Sequence, residues 1–345
     1  MRTVSTALLS YGLSGKVFHA PFIQAHPGLR LAGCWERSKH LFQHDYPEAR
    51  SYATLEEILA DPTIELVVVN TPTNTHFDYA RKALMAGKHV LVEKAFTSNA
   101  SEAIELNRLA QEKKKILSVY QNRRWDSDFM AVQQVLNEQL LGEVVEAQIS
   151  FDRFNPTLSP KAHRETPGPG AGNLMDLGPH LVDIALVLFG MPEAVFGDLR
   201  ACRNGSLVDD YFEVLLYFPR LRVRLHSSYL VREPGPGFII HGTQGTFVKN
   251  RSDMQETQLR QGMIPSDAFY GIEPPSEHGV LYKTGIDSQD PIESPRGNYL
   301  GYFDQLHLAI TEGAPVPVSA EEGIRVMRVL DAAAESSRSR QVIRL

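Results

Sequence analysis

The sequence predicts a doubly wound α/β domain of the Rossmann type with a parallel sheet, followed by an α+β domain built on a large, mostly antiparallel open sheet. Three observations predict this. Over the first 120 residues, short apolar runs alternate with amphipathic segments. Those runs are continuous rather than alternating, the habit of parallel strands buried on both faces by helices. Beyond residue 121 the strand-like segments lengthen and begin to alternate. With 345 residues and roughly 100–200 residues per domain, about two domains are expected, here 1–120 and 121–345.

The elements follow in order. Val4–Leu9, Leu31–Trp35, Ile64–Val69, His89–Val92 and Ile116–Tyr120 read as the parallel strands. Thr54-Leu55-Glu56-Glu57 has the spacing of a capping box ahead of a helix that Pro62 stops. Phe77–Ala86 forms a helix with Gly87 placed to end it, and Asn99–Lys113 forms another. Strands interleaved with helices imply right-handed crossovers. In the second half, Val144–Phe151, Val195–Arg203, Tyr211–Phe218 and Arg222–Tyr229 are longer strands, the last two joined as a hairpin through Pro219-Arg220. Phe238–His241 and Thr246–Lys249 add a pair. A single apolar helix is expected over Leu174–Phe189, and residues 250–297 read as a polar excursion serving a site or interface. Two helices finish the chain, Tyr299–Thr311 and Ala320–Ser336, the second behind a capping box at Ser319.

Composition excludes several classes. Lys plus Arg is 35 against 41 Asp plus Glu, a net charge of −6, which argues against binding to nucleic acid or anionic membrane by bulk charge. Cys34 and Cys202 stand far apart, so neither a disulfide framework nor a cysteine-rich zinc site is expected. The opening MRTVSTALLSYG is too short in apolar residues for a signal peptide, and no run of 18 apolar residues occurs. A cytoplasmic protein with no metal is the expectation.

Chemistry concentrates at the predicted strand ends. Ser10-Tyr11-Gly12-Leu13-Ser14-Gly15 is the dinucleotide fingerprint with Ser10 in the first glycine's place. Gly12 and Leu13 would let backbone approach a pyrophosphate, and Gly15 would allow close packing of the next helix. Glu36 ends the second strand where a ribose hydroxyl partner is expected. Arg37, Ser38 and Lys39 follow it and could hold a 2′-phosphate if Glu36 turns away, so NAD and NADP both stay open. Thr71, Pro72, His76, Glu93 and Lys94 occupy further carboxyl ends, where ligands of open parallel sheets bind. Asp176 and His180, spaced i, i+4 with Asp183 beyond, are costly in an apolar helix unless paired or functional. A histidine accepting a proton while a carboxylate and a lysine orient the substrate matches alcohol oxidation. Asn122, Arg123, Arg153, His163 and Arg164 are candidate substrate contacts, although Arg123 and Arg124 could equally pin the domain junction.

The segments SYGLSGKVFHAPF, VVVNTPTNTHFDYARKALMAGKHVLVEKAF and GNLMDLGPHLVDIALVLFG resemble the Gfo/Idh/MocA oxidoreductase family, over essentially the whole chain. YGLSGKVFHAP, SVYQNRRWDSDF and IHGTQGTFVK resemble its scyllo-inositol dehydrogenase branch. The resemblance implies an N-terminal NAD(P) domain, a C-terminal substrate domain whose sheet commonly builds dimers, and hydride transfer on sugars or cyclic polyols. It also implies that Lys94 is the family's EKP lysine and that Asp176 and His180 are its DxxxH pair. Two departures stand out: Ser10 for glycine, and Ala95 for the proline after the lysine, where some members hold a cis peptide. Another reading on the same fold is a non-catalytic NAD(P)- or sugar-sensing protein, which retention of Lys94, Asp176 and His180 together disfavours.

Overall fold

The computed structural model describes residues 2–37, 40–285 and 289–345, with the side chains at 162 and 163 left aside. The chain divides into two compact units. The first comprises the chain up to Asn122 with Gln255–Tyr270 and Asn298–Ile324; the second comprises Arg123–Met254, Gly271–Gly297 and Arg325–Leu345.

The first unit holds a six-stranded parallel sheet of β1 (Val4–Leu8), β2 (Leu29–Trp35), β3 (Arg50–Tyr52), β4 (Leu66–Val69), β5 (His89–Glu93) and β6 (Leu117–Tyr120). Its order is β3-β2-β1-β4-β5-β6, so the strand order reverses between β1 and β4, the switch point where such sheets bind ligands. β1, β4 and β6 are buried throughout, as continuous apolar runs require. The short β3 is an element the sequence pattern did not announce; only Tyr52 of its three residues is buried. Capping follows the sequence closely. Thr54 Oγ1 accepts from Glu57 N and Asn99 Oδ1 from Glu102 N at the starts of the helices Leu55–Ala60 and Ala100–Lys113. The edge of β6 is covered from far along the chain: Val119 N donates to Val318 O (3.1 Å), Ser118 Oγ to the same carbonyl (2.9 Å), and Tyr302 Oη to Val119 O (3.1 Å).

The second unit holds nine strands: β7 (Val144–Ser150), β8 (Ala194–Arg200), β9 (Tyr211–Tyr217), β10 (Arg222–Ser228), β11 (Phe238–Gly242), β12 (Gly245–Lys249), β13 (Gly279–Lys283), β14 (Gln289–Ile292) and β15 (Ile343–Arg344). They run β14-β13-β12-β11-β7-β10-β9-β8-β15, antiparallel except for the parallel pair β7–β10. β9 and β10 form the expected hairpin, with Tyr217 opposite Arg222. β9 and β12 bury every second residue, as a sheet covered on one face does.

Two expectations need correction. Residues 250–297, expected as a polar excursion, carry regular structure: they supply the helix Gln255–Arg260, β13 and the edge strand β14. Buried Lys249 anchors part of that segment, its ammonium donating to both Glu273 carboxylate oxygens (3.0 and 2.9 Å) and to Ser252 Oγ (2.7 Å). The expected helix Leu174–Phe189 is two helices, Asn173–Asp176 and Gly178–Phe189. Pro179 has no N–H to give to the carbonyl four residues back, and His180 N bonds Leu177 O (3.1 Å) instead.

Candidate active site

In the first unit the chain leaves β1 through the turn Ser10–Gly15. Ser10 Oγ accepts from Gly12 N (3.3 Å), and Asn70 Nδ2, just past β4, donates to Ser10 O (2.8 Å). A Cβ on Gly15 would lie 2.3 Å from Ser10 O and 2.9 Å from Asn70 Nδ2, so only glycine closes this turn. The first bond of the helix runs from Lys16 N to Gly12 O (2.9 Å), which leaves the amides ahead of Lys16 without helical partners and suited to an anion. Leu13 is exposed, and Asn70 Oδ1 is a buried oxygen with no protein donor, a group that a ligand or water would satisfy. This open-rimmed, glycine-closed turn at the switch point fits a dinucleotide's phosphates.

Glu36 is buried, and its Oε2 accepts from Phe42 N at 2.7 Å. Its carboxylate therefore anchors the segment after β2. Arg37 beside it is exposed, whereas Ser38 and Lys39 lie outside the described residues.

The loops after β4 and β5 are locked to one another. Thr71 Oγ1 pairs with Thr75 Oγ1 (2.6 Å), and Thr75 Oγ1 donates to Pro72 O (2.7 Å). His76 opens the helix His76–Met85; its Nδ1 stands 2.8 Å from Ala95 O and its Nε2 2.8 Å from Thr71 O. Burial holds this imidazole below the usual histidine range. His76 thus braces the two loops and offers no open nitrogen to a ligand. The Lys94–Ala95 peptide is cis. Glu93 Oε1 accepts from Ser14 Oγ (2.5 Å) and stands 2.8 Å from His19 Nε2, and its Oε2 accepts from Lys94 N (3.2 Å). Burial alone would raise the Glu93 carboxyl; His19, Ser14 and the charge of Lys94 outweigh it and hold the group below the usual range.

In the second unit, Asp176 ends the short helix and His180 lies buried in the first turn of the next. Tyr229, one residue past β10, donates its hydroxyl to Asp176 Oδ2 (3.0 Å), and Arg164 Nη1 lies 3.7 Å from the same oxygen. Burial, then the negative charge of Asp176, raises the Tyr229 hydroxyl above its ordinary value and keeps it protonated. Its ring in turn carries the Arg203 guanidinium, 5.1 Å from the centroid. Asp183, the third polar residue of the apolar stretch, is paired with Arg124 through two bonds of 2.8 and 2.7 Å. Arg124 therefore pins structure, and Arg123 does likewise with Asp126 (3.3 Å). Asn122 is buried, and Arg153 lies over the Phe151 ring at 5.0 Å. The His163 side chain lies outside the described residues.

The start of the Asp176 helix is fixed by Asp209, whose Oδ2 accepts from Leu174 N (2.6 Å) and whose carbonyl accepts from Asn173 N (2.8 Å). Gly172, with φ +87°, leaves room for that carboxylate; a Cβ there would meet Asp209 Oδ1 at 2.0 Å. Burial pushes the Asp209 carboxyl up to about 6, despite the amides of Leu174 and Asn173 pulling it down. A raised folded pKa contributes stability below the unfolded value, and that contribution is lost as pH rises through the folded one. Asp209→Asn keeps an acceptor and removes the ionisation. It is expected to gain stability relative to the native chain at pH 7.5 over pH 4.5, by on the order of 2 kcal/mol, in denaturant melts. An equal effect at both pH values would show that Asp209 does not titrate there.

Tyr229, Ser14 and His19 were not singled out from the sequence. Ser14 and His19 lie inside the SYGLSGKVFHAPF segment, but nothing in spacing tells which of its polar residues meets a glutamate 74 or 79 positions away.

A family model described as oxidoreductase family, NAD-binding Rossmann fold, matches residues 5–121, and one described as oxidoreductase family, C-terminal alpha/beta domain, matches 133–345. The scyllo-inositol 2-dehydrogenase (NADP(+)) IolW of Bacillus subtilis (strain 168) is 39% identical over 99% of this chain and 96% of its own length. The "uncharacterized oxidoreductase" YdgJ of Escherichia coli K12 is 37% identical over 99% and 98%. The solved structure of yvaA from Bacillus subtilis superposes with a TM-score of 0.96 at 39% identity, covering 100% of this chain and 99% of the other.

Proposed function

The chain belongs to the Gfo/Idh/MocA oxidoreductase family, and from that premise we propose that this dehydrogenase interconverts a secondary alcohol and ketone on an inositol-like polyol or a sugar, with NADP preferred. The observation that carries the reading is Asp176, held by Tyr229 four residues ahead of buried His180, across the break between their two helices. A carboxylate fixed by a neutral phenol can orient a substrate hydroxyl and an imidazole without itself moving. In the oxidative direction His180 takes the hydroxyl proton and Lys94 donates a hydrogen bond to the oxygen that becomes the carbonyl. Asp176 holds both substrate and histidine in register. Bound NADP supplies the hydride acceptor. Gly12, Leu13 and Gly15 would hold its pyrophosphate, beside Thr71 and Pro72. Arg153 and Arg164, with His163, are the groups we assign to the remaining substrate hydroxyls. Absorbance at 340 nm with a polyol and sugar panel tests the reading: coenzyme binding without reduction by any member would refute it.

The preference for NADP rests on Glu36. One oxygen of its carboxylate is engaged with the Phe42 amide (2.7 Å), which ties the group to the segment after β2, and the exposed cation Arg37 stands next to it. The name of IolW, which includes NADP(+), agrees. Arg37→Ala is expected to weaken NADPH about tenfold, the size of one charge-assisted phosphate contact, and NADH less than twofold. Fluorescence titration measures both, and equal losses would refute the assignment.

The nine-stranded sheet is also assigned an assembly role, as a homodimer or higher homo-oligomer. Its uncovered face carries Gln148, Glu213, Arg224 and His226 around a hollow of about 310 Å³. Light scattering on the purified chain checks this.

A further inference from the structure

We propose that Ser14 and His19 are positioning residues that act through Glu93, so that Lys94 is placed by the same turn that receives the dinucleotide. The inference rests on the proposed coenzyme role of that turn. Three observations in the first unit carry it.

Glu93 is a largely buried carboxylate, its side chain 12% exposed, whose donors come from two directions. Ser14, inside the fingerprint turn, reaches one oxygen at 2.5 Å together with His19 at 2.8 Å, and the Lys94 amide reaches the other at 3.2 Å. One rigid planar group therefore joins the turn to the backbone of the lysine. A buried anion persists only with such donors, so moving one end strains the other.

The helix carrying His19 is not an ordinary first turn. Gly15–His19 is wound as a π-helix, closed by Ala20 N on Gly15 O, before α-helical geometry resumes at Ala20–Ala25. Such wide turns are frequent at functional sites. Here the extra residue falls between Gly15, which closes the turn, and His19, which meets Glu93.

The His19 ring is fully buried against Tyr120, with centroids 4.5 Å apart, and its Nδ1 has no hydrogen-bond partner. A residue serving packing alone would be better as phenylalanine, with no orphaned nitrogen. The other nitrogen, on Glu93, gives the imidazole its reason to be there.

The test is a set of variants read by NADPH fluorescence and by kcat at saturating coenzyme. Ser14→Ala and His19→Leu are each expected to raise the coenzyme Kd about fivefold and to lower kcat about tenfold. His19→Gln, which retains an N–H in nearly the same place, should recover kcat to within about threefold of the native chain. In a Glu93→Gln background, adding Ser14→Ala should change either constant less than twofold, because the shared carboxylate is already gone. Should His19→Leu fail to fold, the Ser14 and Glu93 cycle alone decides. Unchanged Kd and kcat in Ser14→Ala, or losses that multiply with those of Glu93→Gln, would overturn the inference. A native chain that binds no NAD(P)H at all would instead overturn the functional reading beneath it.

Discussion

Alanine at position 180 is expected to lower turnover by about 10²-fold or more, the usual scale for a positioned acid–base group, while coenzyme affinity stays within about twofold. The reasoning starts from where the residue sits. His180 is buried in the first turn of Gly178–Phe189, a stretch apolar from Leu181 to Phe189 save for Asp183, which Arg124 neutralises. Lys94→Ala should reduce kcat comparably, because without it the developing carbonyl oxygen loses its donor. Stopped-flow or steady-state rates with the best polyol check both. Near-native turnover in the two variants would leave the fold untouched and remove the site assignment.

The second large effect separates the two glycines of the turn. Gly15→Ala should weaken coenzyme binding by about 10²-fold and also lower stability by roughly 1–3 kcal/mol, the cost of forcing atoms into a filled space. Its new Cβ would lie 2.3 Å from the Ser10 carbonyl oxygen, a backbone atom that cannot swing aside. Gly12→Ala meets nothing closer than Ser10 Oγ at 3.6 Å, so the apo protein should melt as the native chain does. Its methyl would nevertheless stand where a pyrophosphate must approach, and binding should fall about tenfold. Thermal melts alongside NADPH titration distinguish the pair. If Gly12→Ala bound coenzyme normally, the turn would not be the phosphate cradle.

Much of the fold was legible because the forces that build it are local. Continuous apolar runs gave the parallel strands, and the capping boxes at Thr54 and Ser319 gave helix starts; Ser319 Oγ accepts from Glu322 N and Glu322 Oε2 from Ser319 N. The helix break before His180 was also written locally, in Pro179, but the apolar run around it masked the missing N–H. β3 was too short and too exposed to leave a hydrophobic signature. At the candidate site, Lys94, Asp176 and His180 stood out because charge interrupts apolar sequence. Tyr229 did not, since a tyrosine after a strand is ordinary until its hydroxyl is seen on Asp176. Glu36 shows a related limit: sequence places a carboxylate but does not say which amide it will meet, here that of Phe42.

The cover on β6 has a consequence for how the protein is made. Val119 and Ser118 wait for Val318, and the Val119 carbonyl for Tyr302, about 200 residues further along. At synthesis rates of about 5–20 residues per second, that edge stays open for roughly 10–40 s on the ribosome. An apolar strand edge exposed for so long is a template for pairing with other nascent chains. The first unit is thus encoded first and finished nearly last, and its yield in a cell should depend on holdase chaperones that shield Leu117–Tyr120 until the C-terminal third of the chain has emerged.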